Sequence, residues 1–409
     1  SRLYGNRLEM EVIENGSVTA PVGYRAAGIN TGVKESGSKD LSLLFSEHPA
    51  TAAAVYTTNR VQGAPIAIDR KHLKDGKAQA VILNSGNANV CNGESGIRHA
   101  KRMCELTATE LGLQTEDVLV CSTGVIGVPL PISKIESGIP RIVSTLSADG
   151  GHDAAAAIMT TDTVPKSCAV EVETGQGVVR VGAMAKGAAM IAPNMATMLA
   201  IVTTDALVPS EQLQVLLSKA IQRTFNCITV DGDMSTSDTV IILANGAAVA
   251  GKLLCENDFL GLYKGIEYVC RQMAQAIARD AEGSSKLISI AVSGAASEID
   301  ARKVGISVAN SSLVKTAAFG NDPNWGRILC AMGYAGVEFD TKAVCVSLCG
   351  TEVYGNGAGI EFDERILSEA MQKDDVTIDI FLAEGSSGAE IFTCDLTYEY
   401  VRLNAEYTT

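Results

Sequence analysis

KGAAMIAPNMATMLA, running from Lys186 to Ala200, admits two readings that lead to different proteins. As ordinary chain it is a buried turn followed by a strand. As a processing site it puts small Ala196 directly before Thr197, and breaking the Ala196–Thr197 bond would leave Thr197 as an N-terminal threonine. Its hydroxyl would then attack a carbonyl while its own α-amine, with an ordinary pKa of about 7.7–8.0, takes the proton. Self-cleavage follows the same logic: the Thr197 hydroxyl attacks the Ala196 carbonyl, an N-to-O acyl shift gives an ester, and water hydrolyses it. Pro193 and Asn194, just upstream, are turn formers expected to hold the scissile peptide in a strained conformation.

Strand-like and helix-like segments alternate on either side of this stretch, which argues for an α/β or α+β protein. Ala78 to Leu83 reads as a buried strand, followed by the turn-rich NSGNAN of Asn84 to Asn89 and a helix over about Ile97 to Leu113. Asp117 to Cys121 (DVLVC) reads as the next strand, ending at a polar turn of Ser122, Thr123 and Gly124. Ala169 to Val181 alternates apolar and polar residues about Thr174 to Gly177, the pattern of a hairpin. Met198 to Val202 is strand-like, and Ser210 is placed to cap a helix with Leu213, Leu216, Leu217, Ala220 and Ile221 on one face. Cys227 to Val230 and Val240 to Leu243 read as buried strands, and Phe259 to Ala278 as a second amphipathic helix. Beyond Ser284 the texture shifts toward strands and glycine turns, with Val344 to Leu348, Val376 to Leu382 and Glu390 to Asp395 as β candidates. A domain boundary is expected there, dividing residues 1–284 from 285–409.

The bulk numbers narrow the classes of function. With 409 residues, 46% hydrophobic and 20% charged, the chain has enough apolar residues for a large core and more than one domain. A net charge of −14 argues against nucleic acid or an anionic membrane surface as partner and leaves small molecules, cations or other subunits. Its 11 cysteines follow no disulfide or C-x-x-C framework, so they read as reduced thiols of a cytoplasmic protein, many in apolar strands. No run approaches the ~18 apolar residues of a membrane helix, and SRLYGNRLEM lacks a signal-peptide core. Whether a presequence was removed before Ser1 is left open.

Several further segments accompany the central stretch in order along the chain. They are NSGNAN, CSTGVIG (Cys121 to Gly127), TTDT (Thr160 to Thr163), DGDMSTSDT (Asp231 to Thr239), DAEG (Asp280 to Gly283), NDPNWGRI (Asn321 to Ile328) and NAEYTT (Asn404 to Thr409). On these motifs the chain resembles the ornithine acetyltransferase (glutamate N-acetyltransferase) family, self-cleaving bifunctional proteins of arginine biosynthesis. The resemblance implies an α+β fold: a layered αββα-type sandwich carrying an N-terminal threonine nucleophile, plus a smaller strand-rich C-terminal α/β domain. It also implies cleavage between Ala196 and Thr197 into chains of residues 1–196 and 197–409, assembled as α2β2 or larger.

By the same resemblance, Thr197 would take acetyl from N-acetylornithine and pass it to glutamate, releasing ornithine, with ping-pong kinetics. Thr123 and Gly124 would form the oxyanion hole, where glycine lets a backbone N–H come close. Substrate contacts carry over to Thr160, Lys186, Thr197, Glu282, Asn404 and Thr409. The adjacent Thr161 leaves the Thr160 register open by one residue. Lys186 suits a substrate carboxylate and Glu282 the ornithine ammonium. The C-terminal pair Asn404 and Thr409 implies a tail that returns to the active site. No cofactor is expected, while acetyl-CoA is left open as a second acetyl donor.

Other signals carry less. Asp231 to Ser235 resembles the opening of a calcium loop but has Thr236 where that loop needs glycine and Ile242 where it needs glutamate, so no metal is expected and it reads as a structured turn near the site. The histidines, His48, His72, His99 and His152, form neither HExxH nor a recognisable triad. Trp325 in NDPNWGRI is expected to pack beside the site, and Cys121 is read as a small hydrophobe rather than a nucleophile. The alternative reading is a self-processed amidase or aminopeptidase, which differs in resolving the acyl-enzyme with water; a non-catalytic acidic binding protein would keep an intact chain and transfer no acetyl group.

Overall fold

Sixteen consecutive residues, Leu41–Tyr56, form one strand that changes partners half way along, and the larger part of the molecule is organised around it. The structure, a computed structural model, describes residues 10–192 and 198–407. In chain order come strands β1 (Met10–Val12), β2 (Tyr24–Ile29) and β3 (Leu41–Tyr56), helix α1 (Ala64–His72), strand β4 (Lys77–Asn87), helix α2 (Gly93–Leu111) and strand β5 (Val118–Val125). Helices α3 (Ile132–Ser144) and α4 (Gly151–Ala157) precede the hairpin β6 (Lys166–Thr174) and β7 (Gly177–Lys186), then β8 (Leu199–Thr204), α5 (Ser210–Arg223), β9 (Thr239–Ala244) and α6 (Phe259–Arg279).

The first half of β3 pairs with β2 and β4, and the second half with β9, from Thr51↔Ala244 to Tyr56↔Thr239. The register with β4 shifts between Phe45 and Ala50, around Pro49, whose missing N–H suits it to a bulge. One nine-stranded sheet results, in the order β1-β6-β7-β8-β9-β3-β4-β5 with β2 on β3.

Period-two alternation then sorts the side chains into layers. Leu44, Val81, Leu83 and Leu119 from one half of the sheet meet Leu199, Ile201, Ile241 and Leu243 from the other in a shared core. The opposite faces pack outward: Leu43, Ala80, Ile82 and Val120 against α2 and α3, and Ala200, Val202, Val240 and Ile242 against α5 and α6. The layers run α, β, β, α, an α+β sandwich in which β3 belongs to both sheet layers. Strands buried on both faces read as unbroken apolar runs, which is why VILN, VLVC and TVIILA carry no alternation of their own.

The rest of the chain adds β10 (Leu287–Ala295), α7 (Glu298–Ala309), α8 (Ser312–Phe319), α9 (Trp325–Gly333), β11 (Cys345–Leu348), β12 (Thr351–Gly355), β13 (Ala358–Gly359), α10 (Glu364–Met371), β14 (Asp375–Phe381), β15 (Ser387–Cys394) and α11 (Tyr398–Glu406). Its six-stranded sheet, β13-β12-β11-β14-β10-β15, has its own core of Ile288, Ile290, Val304, Val308, Ile378 and Ile380. Leu287, Phe392 and Cys394 instead join the core beneath α5 and α6, tying the second sheet to the first.

Local readings fare unevenly. The hairpin turns at Thr174 and Gly177, and α5 buries Leu213, Leu216, Leu217, Ala220 and Ile221. Ser210 is not its cap: it is the first helical residue, after Pro209, and makes no capping hydrogen bond. Cys227 to Val230 is not a strand: a short 3-10 turn ends at Cys227, and only Ile228 bridges to Phe392. Ser122, Thr123 and Gly124 do not turn away after β5 but continue it. Each cysteine is a free thiol, and burial pushes the Cys121 thiol well up, in keeping with its reading as a hydrophobe. Among the described residues no helix is long and apolar enough to cross a membrane.

Candidate active site

The polar ends of β4 and β5 build one wall of the site. These strands stay paired in parallel through Asn84↔Ser122, Ser85↔Thr123 and Gly86↔Gly124. Their polar side chains satisfy one another: Ser122 Oγ donates to Asn84 Oδ1 at 2.6 Å, and Asn84 Nδ2 donates to the Asn87 carbonyl at 3.0 Å. Gly124 has φ +134, and a Cβ there would sit 2.4 Å from the Gly86 carbonyl carbon, so glycine is the residue that fits.

Lys186, the last residue of β7, projects a buried ammonium against this wall. It is 2% exposed and donates to Thr123 Oγ1 at 3.0 Å and to Thr160 Oγ1 at 2.6 Å. Burial pushes its pKa down, with Asp162 the largest opposing influence. Asp162 accepts from the Thr160 N–H at 3.1 Å, the Gly187 N–H at 2.9 Å and Lys166 Nζ at 2.6 Å. Burial alone would raise the Asp162 carboxyl, but Lys186, Lys166 and the Gly187 N–H outweigh it and hold it low. Lys166 also pairs with Asp280 at 2.7 Å.

The opposite wall is acidic. The Glu282 N–H donates to the Ala188 carbonyl at 2.8 Å, and its carboxylate accepts from Asn404 Nδ2 at 2.9 Å. Asp231 accepts from the Met190 and Ile191 N–H groups at 2.8 and 2.9 Å and from the Tyr400 hydroxyl at 3.0 Å. Helix α11 is thereby pinned beside the first part of the central stretch. Near the end of that stretch, the Met198 N–H donates to Asp238 at 2.8 Å, and burial pushes the Asp238 carboxyl well up.

Between the walls lies a cleft of about 530 Å³ lined by Thr123, Gly124, Thr160, Lys186, Glu282 and Asn404. These residues come from five places in the sequence, and each is a candidate named from sequence. Thr161 lines the cleft as well, but the Thr160 hydroxyl is the one on Lys186. Ala196, Thr197 and Thr409, with Pro193 and Asn194, lie outside the described residues. The cleft is bipolar, with lysines beside β5 and carboxylates beside α11, a match for a molecule carrying both a carboxylate and an ammonium.

Lys34, Asp231 and Tyr400 also line the cleft. Sequence reasoning gave Lys34 and Tyr400 no role, since nothing local marks either, and it read Asp231 only as part of a turn. Trp325 is not beside the site: it opens α9 and packs on Tyr354, ring centroids 5.6 Å apart, in the second core. None of the four histidines lines the cleft. Among the described residues, no cluster of three or more His, Cys, Asp or Glu is arranged to hold a metal ion.

The sequence profile of the ArgJ family matches residues 25–409. The arginine biosynthesis bifunctional protein ArgJ of Caldanaerobacter subterraneus subsp. tengcongensis is 46% identical over 406 residues, an alignment covering 98% of this chain and 100% of the relative. The protein of the same name from Symbiobacterium thermophilum is 46% identical over 397 residues, covering 96% and 99%. A crystal structure of ornithine acetyltransferase complexed with ornithine from Mycobacterium tuberculosis is 41% identical, with a TM-score of 0.42, and the match covers 45% of this chain and 98% of that one.

Proposed function

The chain belongs to the ArgJ family, and from that premise we propose that it transfers the acetyl group of N2-acetyl-L-ornithine to L-glutamate through an acetyl-threonine on Thr197. In this reading the precursor first cuts itself between Ala196 and Thr197, giving residues 1–196 and 197–409. The freed α-amine then serves as base for the Thr197 hydroxyl. Attack on the acetyl carbonyl gives a tetrahedral oxyanion, stabilised by Thr123 and the Gly124 N–H. Ornithine leaves with its amine protonated, and the glutamate amine attacks the acetyl ester in the reverse sense to release N-acetylglutamate and regenerate Thr197. No cofactor is needed, and acetyl-CoA, if it is a second donor, would acylate the same hydroxyl and leave as the free thiol. The enzyme works in the cytoplasm as α2β2 or a larger assembly of its cleaved chains, with residues 1–284 and 285–409 as its two domains.

One observation carries the reading: the buried Lys186 ammonium is shared by Thr123 and Thr160 at the mouth of the loop that contains the scissile bond. Lys186 pairs with Leu199 across β7 and β8, so the chain leaves the sheet at Lys186 and re-enters it at Leu199, beside the oxyanion candidates. Ala188, Ala189 and Met190, upstream of the bond, line the same cleft as Glu282 and Asn404.

Intact mass and N-terminal sequencing of the wild type and of Thr197→Ala, before and after exposure to N-acetylornithine, test it. Two fragments with the second beginning at Thr197, an uncut variant, and an acetyl adduct on the second fragment are expected. A wild-type chain that stays whole and takes no acetyl group would falsify the proposal. Acetate released at the same rate with and without glutamate would replace transferase by hydrolase.

A further inference from the structure

Lys34 stands on the cleft wall with no part in the chemistry described so far. It sits between β2 and β3 on a loop organised by the fully buried Asp40, which accepts from the Thr31 N–H and hydroxyl, both at 2.7 Å, and from the Lys34 N–H at 3.0 Å. The Lys34 stem lies over Gly86: a Cβ on that glycine would come 3.0 Å from Lys34 Cγ. Gly86 is paired with Gly124, so the side chain crosses the wall at the oxyanion candidates. Its ammonium donates to the carbonyls of Lys39 and Met159, the latter one residue before Thr160.

Those two bonds leave a third N–H donor, and Lys34 forms no ion pair among the described residues. Asp40 is its largest opposite-charge influence, but that carboxylate is occupied by the loop's own donors. Lys186 is near enough to lower Lys34, and its own hydrogen bonds go to hydroxyls. Buried Lys186 and half-buried Lys34 therefore face one cleft with no carboxylate among the described residues in direct ion-pair contact with either, although Asp162 lies close enough to favour both charges, in a chain of net charge −14. Such an arrangement is costly until an anion arrives.

The reaction proposed above says which anion. Donor and acceptor share an α-carboxylate, and the donor's side chain ends in an ammonium suited to Glu282. Only the acceptor brings a second carboxylate, which Glu282 would repel and which needs a cation of its own. Resting on that reading of the reaction, we propose that Lys34 is the specificity-determining cation for the acceptor's side-chain carboxylate, distinct from Lys186 for the carboxylate common to both substrates.

Calorimetric titration of the purified enzyme with glutamate, its neutral isostere glutamine, and N-acetylornithine tests this in wild type, Lys34→Gln and Lys34→Met. The first variant retains a donor for the two carbonyls, and the second retains the apolar stem over Gly86. Wild type is expected to prefer glutamate to glutamine. Either variant should weaken glutamate roughly 10–100-fold, as for loss of a charge-assisted hydrogen bond, and leave the other two ligands within about twofold. Equal weakening of all three, unchanged glutamate affinity, or a wild type indifferent between glutamate and glutamine would each overturn the assignment. Acetyl adducts are read in the same samples. A wild type that prefers glutamate yet takes no acetyl group sinks the transfer reading alone, and one that is acetylated while its variants keep the preference sinks the Lys34 assignment alone.

Discussion

At the scale of single residues, the site depends on charges that have been taken out of water. Lys166 and Asp162 have side chains 1% and 0% exposed, and Lys166 serves Asp280 as well. Lys166→Met leaves a buried carboxylate without its cation and should cost about 3–5 kcal/mol, read from urea denaturation. The penalty should shrink as pH falls. Ionised Asp162 stabilises the fold fully only above its unfolded value of about 3.9, and that contribution is lost as pH falls through its lower folded value. A pH-independent penalty would mean that Lys166 acts through packing. These residues also mark where sequence runs out. Thr123, Gly124, Thr160, Lys186, Glu282 and Asn404 are legible because each lies in a short motif that the resemblance marks. Lys34 and Tyr400 lie in no such motif and matter through partners that only the fold brings near: Lys34 reaches Met159 across 125 residues, and Tyr400 reaches Asp231 across 169.

At the scale of elements, periodicity marks what is buried on one face, and the strands buried on two faces are marked by unbroken apolar runs that fall short of their polar ends. The helices α5 and α6 and the β6–β7 hairpin follow from spacing alone. Strands β4 and β5 run on through NSGN and STG because their polar side chains bond to one another along the sheet, and no turn chemistry reveals that. β3 was hidden because SEHPA looks like a break, whereas Pro49 sits at the bulge where the strand passes from one layer to the other. Helix α11 is the weakest element at the site: it buries none of its own residues and is tied to the cleft through Tyr400 on Asp231 and Asn404 on Glu282. Replacing both ties, Tyr400→Phe with Asn404→Ala, should speed amide hydrogen exchange in α11 at least ~10-fold and leave β5 unchanged. Exchange that rises equally in β5 would show α11 to be part of the global fold rather than a locally docked tail.

At the scale of the whole molecule, a cut at Ala196–Thr197 would divide the strands of one sheet between two fragments. It would assign β1 to β7 to one fragment and β8 onward to the other, although β7 pairs with β8 from Val181↔Thr204 to Lys186↔Leu199 and β3 pairs with β9 along six residues. Both seams are interior, since the strand order runs β7-β8-β9-β3. The inter-sheet core mixes Leu44 and Met184 with Leu199 and Ile241, so separating the fragments would expose that apolar surface and leave strand edges unpaired. Such a cleavage would therefore change the chemistry of one bond without releasing a subunit. The two fragments should co-elute in native size-exclusion chromatography at all concentrations and separate only in denaturant, with loss of both sheets in one transition. Fragments that part on simple dilution would mean that the sheet does not bridge the cut, and the proposed nucleophile would then lose the proposed oxyanion wall of Thr123 and Gly124, which belongs to the first fragment.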